Sequence, residues 1–206
     1  MSTTLQDAII RIGQDYLNRS TLDSKIVRAI QAAVRHYERQ RFPWNETATA
    51  LATVALTESV PIPADFLVLD LLEVTFGGSK YELKPRSFKE IRQFNAVPGA
   101  EALPSFYCLH GNNFLLSPIP DVSYPITCNY LQQLPQLTSN ALTATNDWLS
   151  AAEDVIIYHA TKLMWANVLR NTDEATKYAQ LERDAYTELT TYNEQRNHRA
   201  IRATKF

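Results

Sequence analysis

The sequence is short of the materials that most active-site chemistry needs. Among 206 residues there are two cysteines, five glycines and four histidines. Cys108 and Cys128 are too few for a disulfide framework. Five glycines leave little material for loops that cradle a phosphate. Gly77-Gly78-Ser79-Lys80 lacks the upstream glycine and the Gly-Lys-Ser/Thr order of a phosphate loop, and it joins two strands. His36, His110, His159 and His198 are scattered, so no metal-ligand set can be assembled from spacing. Cys108 and His110 point to the same face of one strand. With two further ligands missing, they read as a small buried sulfur beside a turn histidine. There is no Gly-x-Ser-x-Gly elbow, and spacing nominates no Ser/His/Asp arrangement. The expectation is a non-enzyme with no catalytic, metal-binding or cofactor-binding residues.

Long apolar runs are missing too. No stretch approaches ~18 consecutive apolar residues, which excludes a membrane-spanning helix. Residues 1–7 lack both the basic region and the apolar core of a secretory signal. Charge of one sign is also absent, with 20 basic against 22 acidic side chains and a formal charge of −2. A general nucleic-acid coat needs a marked basic excess.

What is present is pattern. A hydrophobic fraction of 45% with 20% charged residues describes a folded chain, long enough for one large domain or two small ones. Leu5, Ile9, Ile12 and Tyr16 recur at helical spacing, with Thr3 or Thr4 available as N-cap. After Asn18-Arg19-Ser20-Thr21, a second stripe holds Leu22, Ile26, Ile30, Val34 (or Ala33) and Tyr37, with Arg28, Arg35 and Arg39 outside it. Pro43 is expected to stop this helix. The two make an αα-hairpin, each helix needing a partner for its apolar face.

From residue 47 the period becomes two. Val54 and Leu56 alternate with threonine and alanine in a first expected strand. Leu72, Val74 and Phe76, then Tyr81 and Leu83, flank Gly77-Gly78 as a β-hairpin. Ser87-Phe88-Lys89-Glu90 has capping-box spacing for a short helix ending near Phe94. A second hairpin pairs residues 106–109 with 114–116. Tyr124, Ile126, Cys128 and Tyr130 then share one face of a further strand. These readings describe an antiparallel meander with local connections.

The helical period returns at Asp147, read as a cap, with Leu149, Ala152, Ile156, Leu163 and Leu169 on one helix. The last helix places Ala175, Tyr178, Leu181, Ala185, Leu189 and Tyr192 on one stripe, so that Leu163 and Leu181 should be central to packing. Glu153 and Asp154, in a first helical turn, answer the helix dipole. Trp148 and Tyr178 read as core. The expected class is α+β. A bundle of N- and C-terminal helices (1–46 and 147–195) carries an inserted β domain (47–146), and a basic arm (196–206) follows. Arg196, Arg199, Ile201, Arg202, Lys205 and Phe206 compose that arm, which reads as a frayed end or as a segment that orders on a partner.

From Pro61 onward the chain resembles the head-to-tail adaptor proteins of tailed bacteriophages, the group that includes tail-tubular and tail-accessory proteins of short-tailed phages. The resemblance rests on Ile62-Pro63-Ala64-Asp65-Phe66-Leu67, then Phe106-Tyr107, Gly111, Leu116, Pro118-Ile119-Pro120-Asp121 and Tyr124. It continues through Tyr130, Leu134-Pro135 and Leu137 into Asn146-Asp147-Trp148-Leu149. By motif it covers roughly residues 60 to 150, and the flanking helices match by layout alone.

The resemblance implies a structural connector of the virion neck, made in the host cytoplasm. Its implied partners are the portal protein, tail or nozzle proteins, and copies of itself in a ring, a dodecamer. Such a ring encloses genomic DNA without reading its sequence. The resemblance also implies docking through helical parts and a C-terminal arm. The rival reading is a helix-turn-helix DNA-binding module, for which the two N-terminal helices are the argument.

Overall fold

The computed structural model describes residues 3–97 and 99–202, with side chains described up to Gln195. It divides into two compact units. One joins the chain up to Phe42 with the chain from Leu134, and the other is Pro43–Gln133.

The first unit is helical. Helix α1 (Leu5–Ile10) opens on a capping box. The Asp7 N–H donates to Thr4 Oγ1 at 3.2 Å, and the Thr4 N–H donates to Asp7 Oδ2 at 3.0 Å. It runs on as a π-type segment, Arg11–Tyr16, burying Ile12 and Gly13. Helix α2 (Asp23–Tyr37) buries Ile26, Val27, Ala29, Ile30, Ala33 and Tyr37, one continuous face at helical spacing. Helices α4 (Asp147–Ala151) and α5 (Glu153–Leu163) are separated by a break at Ala152, where φ is −128° and ψ 33°. A π-type turn, Met164–Leu169, ends α5, and Arg170 in the left-handed region turns the chain. Asn171 Oδ1 accepts from the N–H groups of Asp173 and Glu174, opening α6 (Thr172–Arg202). Helix α5 packs against both α2 and α6.

Among its described residues the second unit holds eight strands and one helix. They are β1 (Glu46–Ala52), β2 (Ser59–Pro61), β3 (Phe66–Phe76), β4 (Ser79–Glu82), β5 (Lys84–Pro85), α3 (Phe88–Asn95), β6 (Phe106–His110), β7 (Asn113–Ser117) and β8 (Pro125–Gln132). They form two four-stranded sheets, ordered β1-β8-β3-β4 and β2-β7-β6-β5. Val60, Leu72, Val74, Leu83, Phe114 and Ile126 lead the apolar cluster of its core. Gly77 and Gly78 have φ of 59° and 80°, the positive values that a two-residue hairpin of this twist demands.

The α+β class, the terminal helices and the inserted β region agree with the sequence reading. Several particulars differ. The strands are not a meander, because β1 pairs with β8 across the whole unit and β5 pairs parallel to β6. Strand β1 ends at Ala52, so Val54 and Leu56 lie beyond it, exposed, with Leu56 at φ 59°. Alternation persisted in the sequence after the partner strand had run out. Helix α2 ends at Tyr37, ahead of Pro43, which therefore does not stop it. The cap of α4 is Asn146, whose Oδ1 accepts from the Leu149 N–H at 3.1 Å, in place of Asp147.

The segment from Leu134 to Asn146 belongs with the helices, although the change of period put the boundary at Asn146. It is tied there by backbone bonds from Leu5 to Ala144 (2.8 Å) and from Gln6 to Leu142 (2.9 Å). Leu181 is 36% exposed and Leu163 half-buried, so neither is central to the packing of α5 and α6.

Candidate functional site

Helix α6 buries two side chains among its described residues, Tyr178 and Glu182. Its inward stripe runs Tyr178, Glu182, Ala185, Leu189. Reading Leu181 into that stripe rotated the helix by one position and hid the carboxylate. Glu182 is 8% exposed, and a buried carboxylate persists only where partners replace its water.

Three side chains from two helices supply them. The Tyr37 hydroxyl, at the end of α2, donates to Glu182 Oε1 at 2.5 Å. Lys162 Nζ, in the last turn of α5, donates to Oε2 at 2.5 Å. His159 Nδ1 lies 2.7 Å from Oε1. Because an ionised carboxylate only accepts, Nδ1 carries the proton in this contact. Burial works against ionisation of Glu182, but the bonds from His159, Lys162 and Tyr37 outweigh it and hold the carboxyl down at about 2. The ring of His36 lies against His159, with centroids 4.7 Å apart. Burial pushes His36 below its ordinary range, His159 and Lys162 push the same way, and Glu182 opposes them. Tyr37 is raised, first by burial and then by its bond to Glu182.

A shallow groove opens over this cluster, lined by His36, Gln40, Lys162, Arg183 and Tyr186. The Tyr186 hydroxyl donates to Gln40 Oε1 at its rim. A carboxylate held so firmly ionised is a weak base and carries no proton to give near neutrality. The arrangement is therefore a clasp, joining the long helix to α5, on which it packs, and to the end of α2. A second clasp joins the N-terminal segment to α5. Arg11 reaches Glu153 and Asp154, each at 2.7 Å, and Thr3 Oγ1 donates to Glu153 at 2.6 Å. The first-turn carboxylates of α5 thus have a cation as well as the helix dipole.

The residues singled out from sequence are dispersed. Cys108 is buried and its thiol raised, first by burial and then by Glu58. His110 instead stacks on Phe88, with ring centroids 4.3 Å apart. Trp148 is fully buried and Tyr178 is 5% exposed, both core as expected. The backbone of residues 196–202 continues α6, past the point where the apolar pattern stops. The side chains of Arg196, Arg199, Ile201 and Arg202 lie outside the described residues, as do Lys205 and Phe206 entirely. Among the described residues no group of histidine, cysteine, aspartate or glutamate is placed to hold a metal, and no helix is long and apolar enough to cross a membrane.

In the β unit the conspicuous surface is one end of the first sheet. Leu56 is 72% exposed, Val54 63%, Phe76 53% and Val122 50%. Their loops are held together by the Leu56 N–H to the Pro120 carbonyl (2.8 Å) and the Thr53 N–H to the Tyr124 carbonyl (2.9 Å). The Phe76 and Tyr124 rings meet edge-on at 6.0 Å. A large aliphatic residue at positive φ, presented to solvent, carries backbone strain without gaining burial. Together these residues leave four large apolar side chains exposed at one end of this sheet.

Comparison with curated proteins gives no match. The model of the family described as SU10 adaptor protein matches residues 3–204. That match runs through both units, and the chain accordingly belongs to the SU10 adaptor protein family, a family of phage head-to-tail adaptors.

Proposed function

We propose that this adaptor docks as a ring beneath the portal at the neck of the virion and extends the DNA channel toward the tail. The family match over nearly the whole chain carries this reading. The ring is a dodecamer with no enzymatic activity, and it encloses DNA without recognising its sequence. It meets the portal on one side and tail or nozzle proteins on the other, after synthesis in the host cytoplasm. The arm of Arg196, Arg199, Ile201, Arg202, Lys205 and Phe206 is the portal-docking element, its cations pairing with carboxylates and its terminal aromatic filling a pocket.

The experiment is electron microscopy of the protein mixed with portal rings, with binding measured alongside. The intact chain adds a density ring to the portal. Deleting residues 196–206 weakens binding by at least ~30-fold, since one aromatic anchor alone can be worth ~2 kcal/mol. Higher salt weakens the intact protein more than the truncated one. Failure of the intact chain to decorate portals defeats the reading. Salt-dependent binding to short duplex DNA without portal binding would favour the helix-turn-helix alternative.

A further inference from the structure

The two sheets of the β unit have four edges, and three of them are guarded. Strand β2 has three residues and ends in Pro61, β5 is Lys84-Pro85, and β4 is four residues long with Lys80 and Glu82. Short length, proline and charge are the usual devices that keep an edge from pairing with another chain. Strand β1 has none of them along its middle. It is seven residues long, Glu-Thr-Ala-Thr-Ala-Leu-Ala, and lies at the edge of its sheet with β8 on its inner side.

The parity of the pairing shows which backbone groups face outward. Thr53 donates to the Tyr124 carbonyl at 2.9 Å, and Gln132 donates to the Asn45 carbonyl at 2.8 Å. These bonds bracket β1 and share the register of the β1–β8 ladder, in which Thr49 opposes Cys128. Odd-numbered residues of β1 therefore bond to β8. The N–H and C=O groups of Ala48, Ala50 and Ala52 point away from it. All three alanines are exposed, and among the described residues no backbone bond to their outer side is formed.

We infer that β1 pairs with β1 of a second copy of this chain, antiparallel about a two-fold axis at Thr49. The strand is complementary to itself in that register. Ala48 then opposes the partner's Ala50, Thr47 opposes the partner's Leu51, and Thr49 meets its own copy. Glu46 faces the partner's Ala52, so the two glutamates sit at opposite ends and no like charges are opposed. Outward-facing residues pair only with outward-facing residues, as a hydrogen-bonded ladder requires. Thr–Thr and Thr–aliphatic neighbours are favourable cross-strand pairs. The half-buried face of Thr47, Thr49 and Leu51 continues across the junction. Two four-stranded sheets become one of eight strands, and the unguarded edge disappears. An interface of one strand pair falls below ~1,200 Å², the range of weak complexes, so the dimer exchanges readily with monomer. This pairing belongs to the free protein and does not depend on the adaptor reading: a two-fold pair has no place in a polar ring, so β1 must part from its copy before head-to-tail contacts form beneath the portal.

Sedimentation velocity of the full chain between about 10 µM and 1 mM tests it, a range that brackets weak association. The expected result is a monomer–dimer equilibrium that stops at dimer. Ala50→Pro removes an outward N–H without touching the β8 ladder. It should weaken association at least ~10-fold while the circular dichroism and unfolding temperature hold. Ala48→Lys, which keeps the N–H and adds an edge charge, should do the same, and it serves if the proline variant misfolds. A protein that stays monomeric throughout the range overturns the inference. So does association unchanged in a folded variant, or growth past dimer, which would mean head-to-tail contacts through other surfaces.

Discussion

The two units solve the same burial problem with different interiors. The β unit closes on apolar side chains, and its polarisable members stay neutral. Burial pushes the Cys128 thiol up to about 11 and raises Tyr130 as well. The helical unit instead places an ionised carboxylate, Glu182, between α5 and α2 and satisfies it with His159, Lys162 and Tyr37. An apolar core is forgiving of pH and unforgiving of lost volume. A buried ion cluster is the reverse, since its stability depends on every partner being present and correctly protonated.

Removing the centre of each interior should separate the units most sharply. Phe114 is fully buried, and Phe114→Ala should cost about 3–5 kcal/mol, with hydrogen exchange accelerating in β3 and β8. Glu182→Ala should cost a similar ~3–5 kcal/mol by leaving Lys162 and His159 without their anion, with acceleration in α5 and α6. If each variant loosens the whole chain equally, the units are not independent in energy, and the contrast fails.

Acid should distinguish them next. Glu182 sits at about 2 in the folded protein against an ordinary 4.5. The unfolded chain therefore takes up its proton first. The clasp's contribution is fully present above about 4.5 and is lost as pH falls toward about 2. The loss is on the order of 3 kcal/mol, felt in the helical unit. Exchange measured by peptide across that window should rise in α2, α5 and α6 before it rises in β3 and β8. Simultaneous loosening would show that the clasp does not govern acid stability.

A smaller test uses a feature that the units share. Thr4 with Asp7 and Ser87 with Glu90 form capping boxes at the starts of α1 and α3. Thr4→Ala and Ser87→Ala should each cost about 1 kcal/mol, read as lowered denaturation midpoints at unchanged slope. The smallest effect is reserved for Leu181→Ala. At 36% exposure it should cost under about 1 kcal/mol, whereas a loss of several would restore it to the packing stripe.

Capping is also where reading the sequence worked best, because a capping box is complete within four residues. Ser87-Phe88-Lys89-Glu90 announces its helix, and Gly77-Gly78 its hairpin, with no help from distant chain. The clasp was missed for the opposite reason. Glu182 looks like a surface glutamate on a polar helix, and its partners lie 20, 23 and 145 residues away. One signal was present, since Tyr178, Glu182, Ala185 and Leu189 keep helical spacing. A hydrophobicity reading prefers Leu181, and the preference shifts the stripe by one residue. The arm is a different case, being named from its composition alone.

By itself, then, the sequence determined the α+β class, the helices at both ends and the local hairpins. Each of these follows from period, capping or turn chemistry acting over a few residues. Only the tertiary structure decided that β1 crosses the unit to pair with β8, that the segment from Leu134 to Asn146 joins the helices, and that Glu182 is an interior anion. Those outcomes depend on which distant groups are close enough to exchange hydrogen bonds or replace water. A periodicity shows which face of an element is apolar, but the neighbour that covers that face is chosen by packing over the whole chain.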